Sequence, residues 1–399
     1  MSKLSTAACL LIAGTTIAAH AQSVKVGSVG AFTGPIAALI ADVGSGRELA
    51  VNQINDQGGL FVGEHYELVV GDSACDAKAA VDAGQKVINV NQVVAVIGAS
   101  CSGGTLGMVQ SVTIPSGVVA LSDSASASNL SSLDDNDTFF RTAVSDAYQG
   151  VALAELALSK GFKQIALTYA SDDYNSALAE SFISAYYAKG GVITANSMHE
   201  PDKASYRSEV ASLSGGGAQA LVLFAYYGNS GVTIIKNALE TGSFDTFVAA
   251  EGMVHEEMVS QIGAENLQKA VFTTPGADTA ATAYKNYLMA TEEAGINATG
   301  PYVANGYDAA FVMGLAIEKA GSADRGKIAA ALREVAGPPG TKILPGEWSK
   351  AKGLIAAGSD IDYVGASGEI NFDANGDVTG SYMITTVNPD GSFNKVLMQ

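Results

Sequence analysis

The chain has 399 residues, 48% of them hydrophobic and 16% charged, which is the composition of a globular protein and excludes a disordered chain. This length exceeds what one hydrophobic core usually organises, so two lobes or domains are expected. The formal net charge of −18 argues against nucleic acid and anionic membrane surfaces as partners.

The first 21 residues have the pattern of an export signal. Lys3 supplies a positive charge, residues 7–19 are apolar, and the tripeptide Ala19-His20-Ala21 fits the small-x-small cleavage pattern. We therefore predict cleavage after Ala21 and a periplasmic location, with a buried N-terminal helix as the alternative. No later apolar run in the sequence approaches the length that spans a bilayer.

Short apolar runs alternate with amphipathic runs up to about residue 275. Helices are predicted at residues 37–57, 77–90, 147–160, 174–188 and 232–240. Strands are predicted at residues 24–29, 66–70, 93–97, 118–122, 164–169, 192–197, 220–224, 246–250 and 270–274. Repeated strand–helix–strand units predict an α/β fold with parallel sheets flanked by helices.

The last third of the chain has a different pattern. Residues 279–336 are mostly helical, and residues 341–368 are irregular, with no role that we can assign to residues 341–365. Strand-like segments at residues 368–372 and 381–387 complete the chain.

Functional residues are expected in the loops that follow the strands. In open parallel sheets, ligands bind beyond the carboxyl ends of the strands. The loops in question are residues 98–105, 122–128, 170–174, 225–229 and 251–253.

Common enzyme and metal motifs are missing from the sequence. After residue 21 the three histidines are scattered, and there is no P-loop. Residues 98–103 fail as a nucleophile elbow because Ser102 stands where a glycine is required. Residues 373–377 are read as a tight turn and not as a calcium loop, because Ile384 replaces the closing glutamate. We expect no catalysis, no metal and no cofactor; a hydrolase is a remote alternative.

Two cysteines, Cys75 and Cys101, remain after removal of the signal. In an oxidising compartment an isolated pair predicts one disulfide, and two separate buried thiols are the alternative.

Five segments together resemble the periplasmic leucine/isoleucine/valine-binding proteins, which are receptors of ATP-binding-cassette importers. The segments are residues 24–35 (VKVGSVGAFTGP), 54–59 (INDQGG), 71–76 (GDSACD), 96–105 (VIGASCSGGT) and 300–303 (GPYV). The third and fourth resemble the family segments that hold its disulfide cysteines.

The resemblance implies a two-lobed type I periplasmic-binding-protein fold with a three-segment hinge. The first lobe would contain residues 22–143 and about 276–378, and the second residues 144–275 and 379–399. The implied partners are a small amino-acid ligand and a membrane permease, and the implied state is a monomer.

The resemblance also implies how a zwitterionic amino acid is held. Burying its two charges is costly unless each finds partners. The hydroxyls of Ser102 and Ser126 are expected at the carboxylate. The Glu251 carboxylate and the Ser124 carbonyl are expected at the ammonium. The alternatives are a solvated loop acid, a helix-cap serine and a one-residue slip in the serine-rich loop.

Three tyrosines match aromatic positions of the family's apolar pocket, with lobe packing as the alternative: Tyr174, Tyr227 and Tyr302. Leu39, Ser100 and Asp123 depart from the family pattern, which leaves the side-chain preference open. We predict binding of a branched-chain or similar aliphatic amino acid between two closing lobes. Another amino acid, an amide or urea as ligand, or a chemosensory role, remain alternatives.

Overall fold

The computed structural model describes residues 23–398, so the predicted export signal lies outside the described residues. The first five strands form one parallel sheet. They are β1 (Ser23–Gly30), β2 (His65–Asp72), β3 (Ala95–Ile97), β4 (Ala120–Ser122) and β5 (Phe139–Arg141). Their order in the sheet is β2-β1-β3-β4-β5.

A second sheet contains seven strands. They are β6 (Gln164–Ala170), β7 (Val192–His199), β8 (Ala220–Phe224), β9 (Phe247–Ala249), β10 (Val271–Gly276), β13 (Ser381–Val387) and β14 (Phe393–Leu397). Two short strands between β10 and β13, β11 (Thr341–Ile343) and β12 (Ile361–Tyr363), form a separate two-stranded sheet. The order in the seven-stranded sheet is β14-β13-β10-β9-β8-β6-β7. Strands β6 to β10 are parallel, whereas β13 pairs antiparallel with both β10 and β14.

Helices connect and cover the strands. They are α1 (Ala37–Asp56), α2 (Ala77–Gln85), α3 (Ser102–Met108), α4 (Asp146–Ser159), α5 (Asp173–Ala188), α6 (Arg207–Ser214), α7 (Val232–Thr241), α8 (Glu256–Ile262), α9 (Thr282–Ala294), α10 (Val303–Ala320), α11 (Arg325–Val335) and α12 (Trp348–Ala356). None of the helices within residues 23–398 combines the length and the hydrophobicity of a membrane span.

The chain passes between the two sheets three times. It does so between Arg141 and Asp146, after Gly276, and between Val378 and Ser381. Val144 and Val378 form an isolated parallel bridge, so the first and third passages run side by side. These passages lie near the lobe boundaries expected from the sequence. The boundaries themselves remain a prediction.

The segment between α11 and β13 differs from the sequence prediction. Residues 341–365 are not irregular, because α12 lies between the paired strands β11 and β12. The strand predicted at residues 368–372 is wrong: Glu369 forms only an isolated bridge with Val364. Trp348 at the start of α12 is buried, and its indole N–H donates to the Gly59 carbonyl at 3.1 Å. The segment therefore completes the core beside α1 and α10.

Residues 373–377 form the predicted turn. The Asp373 carboxylate accepts the backbone N–H groups of Asn375 at 2.8 Å and Asp377 at 3.0 Å. The Asp377 carboxylate receives two hydrogen bonds from buried Arg141, at 2.6 and 2.9 Å. This ion pair ties the end of β5 to the third passage between the sheets.

A disulfide joins Cys75 to Cys101, with the Cα atoms 5.3 Å apart. It links the loop after β2 to the residue before α3. Replacing both cysteines with serine is expected to lower the free energy of unfolding by about 3–4 kcal/mol, because the unfolded chain regains the entropy of a closed loop of 27 residues. Urea denaturation measures this change. A reducing agent should destabilise the wild type and leave the double variant unaffected; equal stability of the two proteins would contradict the prediction.

Candidate functional site

A cavity lies where loops of the two sheets face each other. On the side of the first sheet it is lined by Ser100, Cys101, Ser102 and Ser124. The first turn of α1 and the residue before it add Ile36, Leu39 and Ile40. Opposite them lie Tyr174, Tyr226, Glu251 and Gly252. Tyr302, directly before α10 and therefore on the side of the first sheet, completes the lining. All of these residues except Ser124 are buried, so the cavity is largely shut off from solvent.

The serine wall of the cavity is built by the loops after β3 and β4. Gly98, with a φ of 128°, begins the first loop, and a Cβ there would overlap the Val29 carbonyl oxygen. Only glycine allows this close approach of backbone to β1. Ser102 opens α3, and its Oγ accepts the Ala127 N–H at 3.2 Å. Its own hydroxyl hydrogen is therefore free to donate to a ligand.

Glu251 forms the acidic side of the cavity. It follows β9 and is 3% exposed. Its Oε1 accepts the hydroxyls of Tyr174 at 2.7 Å and Tyr302 at 3.1 Å. The Gln149 amide donates to Oε2. Burial raises the pKa of Glu251, and these hydrogen bonds oppose the rise.

Asp146 is a second buried carboxyl next to Glu251, and it was not predicted from the sequence. It is fully buried, and neither of its carboxyl oxygens has a hydrogen-bond partner among the described residues. The Ser126 hydroxyl lies beside it, outside ordinary hydrogen-bonding geometry. Burial, together with the charge of Glu251, raises the pKa of Asp146 well above its usual range.

Two adjacent buried carboxyls make this side of the site favourable for a cation. No lysine or arginine among the described residues forms an ion pair with Glu251 or Asp146. Buried charges without a partner are costly, so a positively charged group of a ligand would relieve both. Within residues 23–398 no three His, Cys, Asp or Glu side chains are grouped to hold a metal ion.

The aromatic residues occupy neighbouring but distinct places. Tyr174 stacks on Tyr226, with ring centroids 5.3 Å apart and an interplanar angle of 19°. Tyr227 turns away and stacks on His255 at 5.1 Å, and it is not among the residues lining the cavity. Tyr226, which was not predicted, lines the cavity in its place.

The other predicted residues are brought close together. The cavity collects five of them: Ser102, Ser124, Tyr174, Glu251 and Tyr302. Ser126 does not line it, but the Ser126 carbonyl accepts the Asp146 N–H at 2.7 Å and its hydroxyl is buried without a partner. Residues from both halves of the chain thus surround one space with acceptors on one side and hydroxyl donors on the other.

Comparison with known proteins identifies the family of the chain. Residues 44–390 match the family described as "Receptor family ligand binding region". The chain belongs to this family. The resemblance to the leucine/isoleucine/valine-binding proteins predicted from the sequence is confirmed, because proteins of that class are among its relatives.

One relative in sequence and two similar solved structures illustrate the similarity. The leucine-, isoleucine-, valine-, threonine-, and alanine-binding protein of Pseudomonas aeruginosa is 29% identical over 329 residues, covering 82% of this chain and 86% of the relative. A leucine binding protein from Thermotoga maritima superposes with a TM-score of 0.79 at 24% identity, covering 94% of this chain and 99% of that one. A branched-chain amino acid transporter substrate binding protein from Streptococcus pneumoniae, in complex with isoleucine, gives 0.77 at 22%, covering 94% and 100%. The predicted fold class is confirmed.

Proposed function

We propose that the chain is the periplasmic substrate-binding component of an amino-acid importer of the ATP-binding-cassette class. Its ligand is a branched-chain or similar aliphatic α-amino acid, and it catalyses no reaction. The observation that carries the proposal is the buried Glu251 carboxylate, which faces a cavity and has three hydrogen-bond donors but no lysine or arginine partner within residues 23–398. An α-ammonium group supplies the missing positive charge.

The two ends of the ligand bind opposite walls. The ammonium lies at Glu251, with Asp146 as a second acceptor of charge and the Ser124 carbonyl as a backbone acceptor. The carboxylate accepts a hydrogen bond from Ser102, whose hydroxyl hydrogen is uncommitted. Ser126 is proposed as a second donor; its hydroxyl, which has no partner among the described residues, lies behind the cavity lining, so the ligand reaches it only if the loop after β4 adjusts. This division of the two charges between the halves of the molecule makes closure depend on the ligand.

The side chain of the ligand lies against apolar surface. Ile36, Leu39 and Ile40 present alkyl groups to the cavity, and the stacked rings of Tyr174 and Tyr226 lie opposite. Tyr227 stacks on His255 outside the lining, so it is proposed to support the pocket from behind and not to contact the ligand. Burying an aliphatic side chain here contributes about 1.5–3 kcal/mol to binding.

The location and partners follow from the same proposal. The predicted signal directs the chain to the periplasm, where a membrane permease would receive the ligand from a monomeric receptor. The Pseudomonas relative is an amino-acid-binding protein and the Streptococcus protein is the substrate-binding protein of a branched-chain amino acid transporter, which supports this assignment.

Titration calorimetry on purified protein freed of bound ligand tests the proposal. Leucine, isoleucine, valine, alanine and threonine are compared with 4-methylpentanoate, which is leucine without its amino group. We expect saturable binding of at least one amino acid at about micromolar Kd, which corresponds to about −8 kcal/mol. The absence of heat with all five, or equal binding of 4-methylpentanoate and leucine, would overturn the proposal.

Closure should fail when the two halves are wedged apart. A Cβ added at Gly228, between β8 and α7, would overlap the Pro35 carbonyl oxygen before α1. Gly228→Ala is therefore expected to weaken ligand binding at least about tenfold, or 1.4 kcal/mol, without lowering the melting temperature of the ligand-free protein. Gly353→Ala is the control, because a Cβ at Gly353 meets open space. Equal affinities of the two variants would contradict the prediction.

Affinity should fall in acid. The pKa of Glu251 and that of Asp146 are raised in the buried site, and a protonated carboxyl does not neutralise an ammonium. Binding therefore releases protons, and as pH falls through the raised pKa values Kd should rise by up to about tenfold per pH unit for each proton released. Calorimetry from about pH 8 to about pH 4.5 in buffers of different ionisation enthalpy measures both effects. A Kd independent of pH over this range would contradict the assignment of charge.

A further inference from the structure

Ser100 is a polar residue of the cavity, on the serine wall next to Ser102. It is 2% exposed and lines the same cavity as Ile36, Leu39 and Ile40. Its hydroxyl is buried and has no hydrogen-bond partner among the described residues.

The neighbouring serine hydroxyls differ from that of Ser100. The Ser124 hydroxyl donates to the Asp123 carboxylate at 2.9 Å, and Ser102 Oγ accepts a backbone N–H at 3.2 Å. Nearly all buried hydroxyls in folded proteins have a partner, because an unpartnered one loses its hydrogen bonds to water without replacement. The partner of the Ser100 hydroxyl is therefore to be sought in the cavity.

The backbone around Ser100 holds the residue in place. Gly98 packs against the Val29 carbonyl, and the next residue, Cys101, is fixed by its disulfide to Cys75. Ser100 itself has a φ of 78°, in the left-handed region. The backbone is thus anchored on both sides of Ser100, which fixes the position from which its hydroxyl can form hydrogen bonds.

We infer that Ser100 is a specificity-determining residue that forms a hydrogen bond with a hydroxyl group on the side chain of the ligand. This inference rests on the proposed function, in which Glu251 and the pair Ser102 and Ser126 bind the two charged ends. The preferred ligand is then a small β-hydroxy amino acid of the threonine type. Its methyl group contacts the alkyl wall, and its hydroxyl meets Ser100.

Threonine and valine provide the sharpest test, because their side chains have nearly the same shape and differ by a hydroxyl. Their Kd values are measured by calorimetry for the wild type and for Ser100→Ala. The wild type should bind threonine about tenfold more tightly than valine. In Ser100→Ala the affinity for threonine should fall about tenfold while that for valine stays the same or improves. Ser100→Gly should reproduce this result, and glycine tolerates the positive φ.

Each contrary outcome has its own meaning. A threonine-to-valine ratio near one in the wild type, or a ratio unchanged in both variants, would overturn the role of Ser100 alone. An equal loss of both amino acids in the variants would also overturn it, because it would place Ser100 at the α-carboxylate. Absence of binding by every amino acid would overturn the proposed function and this inference with it.

Discussion

Replacing Glu251 with glutamine is expected to weaken amino-acid binding at least about 100-fold. Glutamine has the size of glutamate, and its carbonyl oxygen still accepts the hydroxyls of Tyr174 and Tyr302. It lacks the charge that neutralises a buried ammonium. Removing one partner of a buried ion pair costs about 3–5 kcal/mol, which corresponds to a loss of roughly two to four orders of magnitude in Kd.

The same variant should not destabilise the ligand-free protein. Burial raises the pKa of Glu251, so the charged form is less favourable in the folded protein than in the unfolded chain. A neutral side chain removes that penalty, and the melting temperature should stay the same or rise. Glu256→Gln, at an exposed position in α8, makes the same change in net charge and should not alter Kd. A Kd for Glu251→Gln within threefold of the wild type would remove Glu251 from the binding site.

Replacing Asp123 with alanine is expected to lower the free energy of unfolding by about 3–5 kcal/mol. Asp123 follows β4, and its carboxylate accepts Arg47 Nε at 2.6 Å, with both side chains 0% exposed. Arg47 also donates to Ser28 Oγ at 3.0 Å, while one of its terminal nitrogens has no partner among the described residues. Without Asp123 its charge would be buried and unpaired.

Loss of Asp123 should also weaken ligand binding, because its carboxylate anchors the Ser124 hydroxyl at 2.9 Å. Urea denaturation and calorimetry measure the two effects separately. The double variant Arg47→Met, Asp123→Leu should recover most of the stability, since both charges are removed together. Asp82→Ala, which breaks the exposed pair of Lys78 and Asp82, is the control and should change little. A single variant as stable as the wild type would contradict the prediction.

Much of the architecture was predictable because its signals are local. Strand β8 (Ala220–Phe224) is a run of five buried apolar residues, and its predicted bounds agree with the structure. Strand β5 (Phe139–Arg141) has only three residues and follows a polar stretch, so no periodicity marked it. Helix α12 was missed because its packing depends on Trp348 meeting Gly59, a contact between distant parts of the chain.

The binding site was predictable only in part, for a similar reason. Glu251 and Ser102 follow strands, and both the geometry of parallel sheets and the family resemblance predict ligand-binding residues at such positions. Asp146 looks like an ordinary acidic residue in the first turn of a helix, where it interacts favourably with the helix dipole. Its significance comes from Glu251, 105 positions later, which only the folded chain places beside it.

The choice between Tyr226 and Tyr227 shows the limit of local patterns. Both follow β8, and the chain then turns through the π-helical residues Tyr227–Gly231. Such a turn rotates successive side chains to different sides, so composition alone does not tell which ring faces the cavity. The apolar run of β8 precedes both tyrosines, so it does not distinguish between them either.

The contact between Pro35 and Gly228 has a consequence for the release of a bound ligand. These backbones touch at the rim, and the walls behind them are almost wholly buried. We therefore expect a bound molecule to leave when the halves separate, so that its residence time depends on how often they do. Under the proposed function, a permease that docks across both halves and holds them apart would release a tightly bound ligand without competing with the pocket for it.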